Sequence, residues 1–235
     1  MLILAFETSA KAGSVALLDE QRLLGEHYCN TGLTHSQTLL TMAESLLQNC
    51  GHQVRDVTAV AVAAGPGSFT GVRIGAAAAK GLSWGGEIPC IGVSTLEAMA
   101  RNLDVWEGVV CCVMDARRNQ VYNGLFRAKG GVLSRICEDR AISLEELGEE
   151  LKKLQETIFL VGDGSVLCYN TLKEHLVGVV CPSEHRQHQR AAGVALVARD
   201  LINAGHTHSG AELEINYLRL SQAEREKLER EKGEK

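Results

Sequence analysis

Gly65-Pro66-Gly67-Ser68-Phe69-Thr70-Gly71-Val72-Arg73-Ile74-Gly75 is the stretch on which the reading of this chain turns. An apolar run, Val57 to Ala64, leads into it, and Ala76-Ala77-Ala78-Ala79-Lys80 continues it. β-Branched residues closing on Gly-Pro-Gly predict a buried strand ending in a tight turn. Ser68 or Thr70 is placed to cap the helix that follows, because either hydroxyl can accept from a free N–H of the first turn. Gly71, Gly75 and Ala79 recur every four residues, so one side of that helix has almost no bulk. Two readings stay open at this point: an anion-binding helix N-terminus, or a surface for close backbone packing. A Walker A loop is excluded, since no Lys-Ser or Lys-Thr pair follows at the required spacing. A nucleophile elbow is excluded too, because Pro66 stands two residues before Ser68 where a glycine is needed.

Working outward, the first strands are Leu2–Phe6, Ser14–Leu18 and Leu23–Cys29, an antiparallel meander. Thr34-His-Ser-Gln37 reads as a capping box opening a helix to about Asn49, with Gly51 just past its end. Leu39, Met42, Ala43, Leu46, Leu47 and Cys50 form its apolar arc, and Glu44 is its only charged residue. A helix with one side facing water normally carries more charge, which makes its polar side a candidate partner surface. The 57–64 strand, the Gly-rich turn with its helix, a strand over Ile88–Val93 and a helix from Ser94 complete the order β-β-β-α-β-α-β-α.

The second half repeats that order about 105 residues on. Its strands are Val109–Met114, Gln120–Arg127 and Val132–Asp139, followed by a Ser143-capped helix to about Leu154. Then come a strand at Ile158–Val161, a helix over Val166–His175, a strand-like Val177–Val180 and an amphipathic helix over Ala191–Asn203. The predicted fold class is therefore α/β, a duplicated two-lobed fold of the actin/Hsp70-like (ASKHA, RNase H-like) kind. The lobes span 1–104 and 105–215, with a charged tail over 216–235. Glu7 and Asp115 fall at equivalent places, each ending a first strand. In such folds these carboxylates lie near a metal and nucleotide phosphates. Glu7, Thr8, Ser9 and Asp115 are thus the candidate nucleotide-binding residues, set against simpler roles as turn and cap residues. The first loop holds only Gly13, whereas a phosphate cradle wants grouped glycine N–H groups. The expectation is a degenerate cleft with no resident cofactor.

The 235 residues carry a net charge of −5, with 45% hydrophobic and 23% charged residues. That balance argues against a protein that grips nucleic acid alone, since such binding rests on phosphate neutralisation. No apolar run reaches the ~18 residues of a membrane helix, and the first residues lack the basic leader of a signal peptide. Eight cysteines without C-x-x-C spacing read as thiols in a reducing cytoplasm. Cys111 and Cys112, adjacent in a strand, point to opposite faces and cannot chelate together. Cys181, His185 and His188 are the nearest approach to zinc-ligand spacing, without a fourth ligand. No metal site and no catalytic residues are assigned.

Phe6-Glu-Thr-Ser9, His35-Ser-Gln37, the 65–75 stretch, Gly92-Val-Ser-Thr-Leu96, Asp115-Ala-Arg117 with Val121-Tyr122, and Tyr217-Leu-Arg219 with Gln222-Ala223 together resemble the bacterial TsaB (YeaZ) family. The resemblance runs over about residues 1–223. It implies a non-catalytic subunit in the synthesis of threonylcarbamoyladenosine beside the tRNA anticodon. It implies as partners the catalytic paralogue TsaD, which transfers the threonylcarbamoyl group, and the ATPase TsaE. It further implies tRNA contact only through that complex, a homodimer when alone, no membrane and a cytoplasmic location. The expected interface lies on the two first-lobe helices: Leu39, Met42 and Leu46 on one, and Val72, Arg73, Ala76, Ala79, Lys80 and Ser83 on the other. The competing expectation is an ATP-dependent, kinase-like enzyme working at its own interlobe cleft. A peptidase lacks both a metal pair and a Ser-His-Asp arrangement.

Overall fold

A computed structural model describes residues 1–173 and 178–219. The first lobe comprises β1 (Leu2–Glu7), β2 (Gly13–Asp19), β3 (Leu23–Cys29), α1 (His35–Asn49), β4 (Ala59–Ala63), α2 (Phe69–Gly86), β5 (Cys90–Val93) and α3 (Thr95–Ala100). The second comprises β6 (Gly108–Asp115), β7 (Gln120–Lys129), β8 (Val132–Arg135), β9 (Arg140–Ser143), α4 (Leu144–Leu151), β10 (Ile158–Val161), α5 (Ser165–Leu172), β11 (Val179–Val180), α6 (Glu184–Gln187) and α7 (Ala191–Asn203). The two sheets run β3-β2-β1-β4-β5 and β11-β10-β6-β7-β8, with β9 also paired to β7. In each, a hairpin-linked antiparallel set adjoins parallel strands reached through helices. The duplicated order is that of the two-lobed actin/Hsp70-like fold, with β9 and α6 added in the second copy.

Packing makes five layers. α1 and α2 cover the outer face of the first sheet, burying Leu39, Met42, Leu46, Val72, Ala76 and Ala79 against Leu4, Phe6, Val60 and Val62. α4 and α5 cover the outer face of the second, around Val109, Cys111, Val113 and Leu160. Between the sheets lie the last helices of the two halves, each anchored on the opposite lobe. α7 packs on Ile3, Ala5, Ala16 and Ala61 of the first sheet. Its start is tied there by Ala191 N–H donating to Ser14 Oγ at 2.8 Å and by the Arg190–Glu26 ion pair. α3 packs Leu96 and Met99 against Val110, Cys112 and Met114 of the second sheet. Its cap, Ser94, donates to Asp139 Oδ2 at 2.5 Å, and Glu97 pairs with Arg135 at 2.6 Å. A cut at residue 104 would therefore strip each sheet of its inner cover. Cys111 and Cys112 do fall in cores on opposite faces of their sheet, as the strand period requires.

Ser68 and Ser143 cap α2 and α4 as expected, Ser68 Oγ accepting from Gly71 N–H at 3.2 Å. Thr34 does not cap α1. It sits at the N-cap position in an extended conformation, but its hydroxyl takes no N–H from the first turn, so the capping box at 34–37 is corrected to a backbone turn, Gln37 N–H to Thr34 O. Of the strand expected over 132–139 only 132–135 forms, as β8; the chain turns over 136–139, and β9, which the sequence reading did not contain, follows on the other half of β7. Residues 174 and 175 of the expected 166–175 helix, and the tail from 220, lie outside the described residues. Residues 216–219 of the expected tail are tied to the body by hydrogen bonds: Asn216 N–H donates to Ala64 O at 2.8 Å, and Arg219 reaches Ala116 O.

The glycines of the opening stretch meet the β1–β2 loop. A Cβ on Gly67 would strike the Ser9 carbonyl, on Gly71 the Thr8 carbonyl, and on Gly75 the Thr8 hydroxyl. Ser68 N–H donates to Ser9 O at 2.6 Å, and Thr8 Oγ1 donates to Gly71 O at 2.8 Å. Of the two readings, close packing is therefore realised, and it is internal to the chain. Gly71→Ala should destabilise by about 2–3 kcal/mol, since backbone cannot yield as a side chain can. Gly81 lies on the opposite side with nothing within 4 Å of its Cβ position. There Ala should be neutral or stabilise by up to ~1 kcal/mol through helix propensity. Urea unfolding of the two variants checks the contrast.

Candidate functional site

The buried arc of α2 is Gly71, Val72, Gly75, Ala76, Ala79 and Ser83, and that of α1 is Leu39, Met42, Ala43, Leu46 and Leu47. This overturns part of the interface expected from the sequence. Leu39, Met42, Leu46, Val72, Ala76, Ala79 and Ser83 are core residues of the isolated chain, because the sheet takes the small-residue side of α2 as well as the leucines of α1. Of the expected set only Arg73 is exposed, with Lys80 half-buried. The outward face of α2 is Thr70, Arg73, Ala77, Gly81 and Trp84, and Trp84 is 87% exposed. On α1 the outward residues include Leu40, at 57%, with Gln37, Thr41, Glu44 and Gln48. Leu33, just before the helix, is exposed as well. A nearly bare tryptophan on a helix side of alanine and glycine, with Arg73 as the exposed cation of that side, is a surface built for packing rather than for solvation. Periodicity alone could not find it, because α2 is poor in bulk on both sides.

The second feature is a cleft of about 790 Å³ between the lobes. Its walls include Ser9 and Lys11 of the first loop, Gly67 to Thr70, Asp115 to Arg117, Asp163, Gln189 and the 215–219 segment. The four expected nucleotide residues do not share it. Ser9 and Asp115 border the cleft, whereas Glu7 and Thr8 are fully buried behind it. Thr8 is engaged by α2, as described, and the Glu7 carboxylate accepts from Ser9 N–H at 2.6 Å. Asp115 is exposed and accepts from Arg117 N–H at 2.7 Å, holding a hairpin in which Arg117, Arg118 and Asn119 all have positive φ. Gly67, Ser68 and Gly71 close onto Thr8 and Ser9, while Thr70 stays exposed on the cleft wall.

Glu7 behind the cleft and Asp163, exposed on its wall, form an acidic pair the sequence did not reveal. Glu7 is raised to about 7, chiefly by burial, with the Asp163 carboxylate adding to the rise against the Ser9 hydrogen bonds. Asp163 is itself raised by desolvation, with Asp115 adding to the rise and the Gln189 hydrogen bond opposing it. Glu7 Oε2, Ser9 Oγ and Gln189 Oε1 are buried without hydrogen-bond partners among the described residues. Asp163 and Gln189 come from the second half of the chain, so only the fold brings the group together. Cys181, His185 and His188 do not assemble into a ligand set: among the described residues no three His, Cys, Asp or Glu side chains converge as a metal site would need. All eight cysteines are free, and burial pushes the Cys90 thiol up to about 11 and that of Cys168 to about 12. Among the described residues no helix is long and apolar enough to cross a membrane.

Comparison with known proteins agrees with this architecture along the chain. The family described as "TsaD: tRNA N6-adenosine threonylcarbamoyltransferase" matches residues 30–227. The tRNA threonylcarbamoyladenosine biosynthesis protein TsaB of Bacillus subtilis is 34% identical over 233 residues, covering 99% of this chain and all of that protein. Its Escherichia coli counterpart is 36% identical over 167 residues, 70% of this chain and 72% of that one. The solved structure of YeaZ from Pseudomonas aeruginosa superimposes with a TM-score of 0.77 at 26% identity, covering 92% of this chain and 99% of that one. With a full-length relative at that identity, the chain belongs to the TsaB family, components of tRNA threonylcarbamoyladenosine synthesis.

Proposed function

We propose that this protein is a non-catalytic scaffold and activator that pairs with the catalytic paralogue TsaD, with the ATPase TsaE joining the pair. In this reading threonylcarbamoyl transfer to the tRNA adenosine beside the anticodon takes place on the paralogue, and this chain meets tRNA only within the assembly. The observation that carries the proposal is the outward face of α1 and α2, where Trp84 and Leu40 stand exposed beside Ala77 and Gly81. Small residues let a partner helix approach closely, and the tryptophan supplies a large contact area without much rotamer entropy. The same face, meeting its own copy, would make the homodimer expected of the isolated protein.

An enzyme acting at its own cleft is the alternative. Against it stand the loss of Glu7 and Thr8 to the interior and the close packing of Gly67 and Gly71 onto the first loop. The acidic balance of the chain supplies little counterion release, which supports weak tRNA binding by the protein alone. Mixing the purified chain with purified TsaD and measuring mass by size exclusion with light scattering tests the pairing. A joint species at micromolar concentration is expected. Separate elution at every ratio would contradict the proposal.

A further inference from the structure

Arg73 stands in the second turn of α2, on its outward face, and its guanidinium is fixed before any partner arrives. Its Cζ lies 3.8 Å from the centroid of the Phe69 ring and 5.6 Å from that of Tyr217. The two rings are 4.8 Å apart at 33°. Nε donates to Tyr217 Oη at 2.7 Å. Tyr217 is in turn placed by a segment that bonds to both lobes, through Asn216 N–H to Ala64 O and Arg219 to Ala116 O. Arginine has five N–H donors in a planar fork. Nε is engaged here, and among the described residues the two terminal amino groups have no acceptor and no carboxylate pairs with the guanidinium. The result is a cation with its plane set, its stem held down and its open end facing out.

Resting on the proposed function, we propose that Arg73 is the specificity anchor of the partner face, receiving a carboxylate of the paralogous subunit in a two-bond pair. A protein acid fits better than an RNA phosphate. Apart from Arg73, the exposed residues of α1 and α2 include Leu40, Ala77, Gly81 and Trp84 and no lysine or arginine, whereas a phosphate-binding surface gathers several cations. Covering Arg73 with an apolar surface would leave a desolvated charge unpaired, so the face selects a partner that brings the acid. Fixing the fork in advance also reduces the entropy lost on pairing.

The test measures the affinity of the full chain for purified TsaD by biolayer interferometry. Arg73→Lys keeps the charge and loses the fork, so about a tenfold loss is expected. Tyr217→Phe, which frees Nε, should cost about threefold. Both variants should unfold at the wild-type temperature, since these side chains are exposed or only partly covered. An acid on the TsaD face whose amide variant shows no additional loss when combined with R73K identifies the mate by double-mutant cycle. Wild-type affinity for R73K overturns the anchor alone, and failure of the wild-type chain to pair overturns both it and the proposed function. If R73K leaves pairing intact but weakens tRNA capture by the assembled complex, the fork serves RNA and the proposal is wrong. If R73K only weakens self-association, the fork serves a second copy and the proposal is equally wrong.

Discussion

Ala77→Arg should reduce pairing with TsaD by roughly a hundredfold or more while leaving the fold intact, whereas Ala76→Arg, one residue earlier, should unfold the protein. The two alanines are adjacent on α2, yet Ala76 is 3% exposed in the core shared with Leu4 and Phe6 and Ala77 faces outward. An arginine forced in at 76 has neither room nor counter-charge, and burying an unpaired ion costs several kcal/mol, a large part of a domain's whole stability. At 77 the same side chain extends into water in the free protein. In a complex it would stand where a partner helix must approach, adding bulk and a desolvated charge at the centre of the contact. Thermal melting followed by light scattering with TsaD separates the two outcomes. A stable A76R that no longer pairs would show that the arcs of α2 are reversed, and an A77R that pairs normally would remove α2 from the interface.

Glu7→Gln should make stability almost independent of this site and raise it above the wild type at alkaline pH. The carboxyl is fully buried, feels the negative charge of Asp163 and has one oxygen unpartnered, so the folded protein favours its neutral form. Its value rises from an ordinary 4.5 to about 7. The favourable contribution is full below about pH 4.5, declines as pH rises and is gone once pH passes about 7. Across that window the linkage amounts to about 3 kcal/mol. Glutamine carries no charge at any of these pH values and keeps the shape of the side chain. Denaturant unfolding at pH 5 and pH 8 should thus show E7Q near the wild type at the lower pH and more stable by up to about 3 kcal/mol at the higher. Parallel pH profiles for the two proteins would mean that Glu7 is ionised in the folded state and that its site holds a compensating charge.

Much of the fold was legible because it is written in short-range patterns. The β-β-β-α-β-α-β-α order came from alternation, apolar runs and turn residues, and its repetition identified two lobes. Ser68, Ser94 and Ser143 are local caps, visible as such. The site was less legible, since what decides it is non-local. Gly71, Gly75 and Ala79 on one side of α2 and Ala77 with Gly81 on the other look alike in sequence, and only the arrival of Thr8 and Ser9 tells them apart. The acidic pair joins residues 7 and 163, and the Arg73–Tyr217 pair joins residues 144 apart. The strand β9 was missed for another reason: its flank Glu138-Asp139-Arg140 is polar, and Asp139 and Arg140 are held by ion pairs to Arg135 and Glu150 rather than by apolar packing.

The central claim is that this chain activates a catalyst rather than catalysing, and reconstitution of tRNA modification tests it most directly. Purified protein, TsaD and TsaE would be combined with tRNA and the threonylcarbamoyl-adenylate substrate, and modified adenosine counted with each component omitted in turn. No product is expected from this chain with substrate alone, product from the complete set, and loss of product when A77R replaces the wild type. Modification by this chain without TsaD, or undiminished modification by TsaD and TsaE without this chain, would contradict the claim.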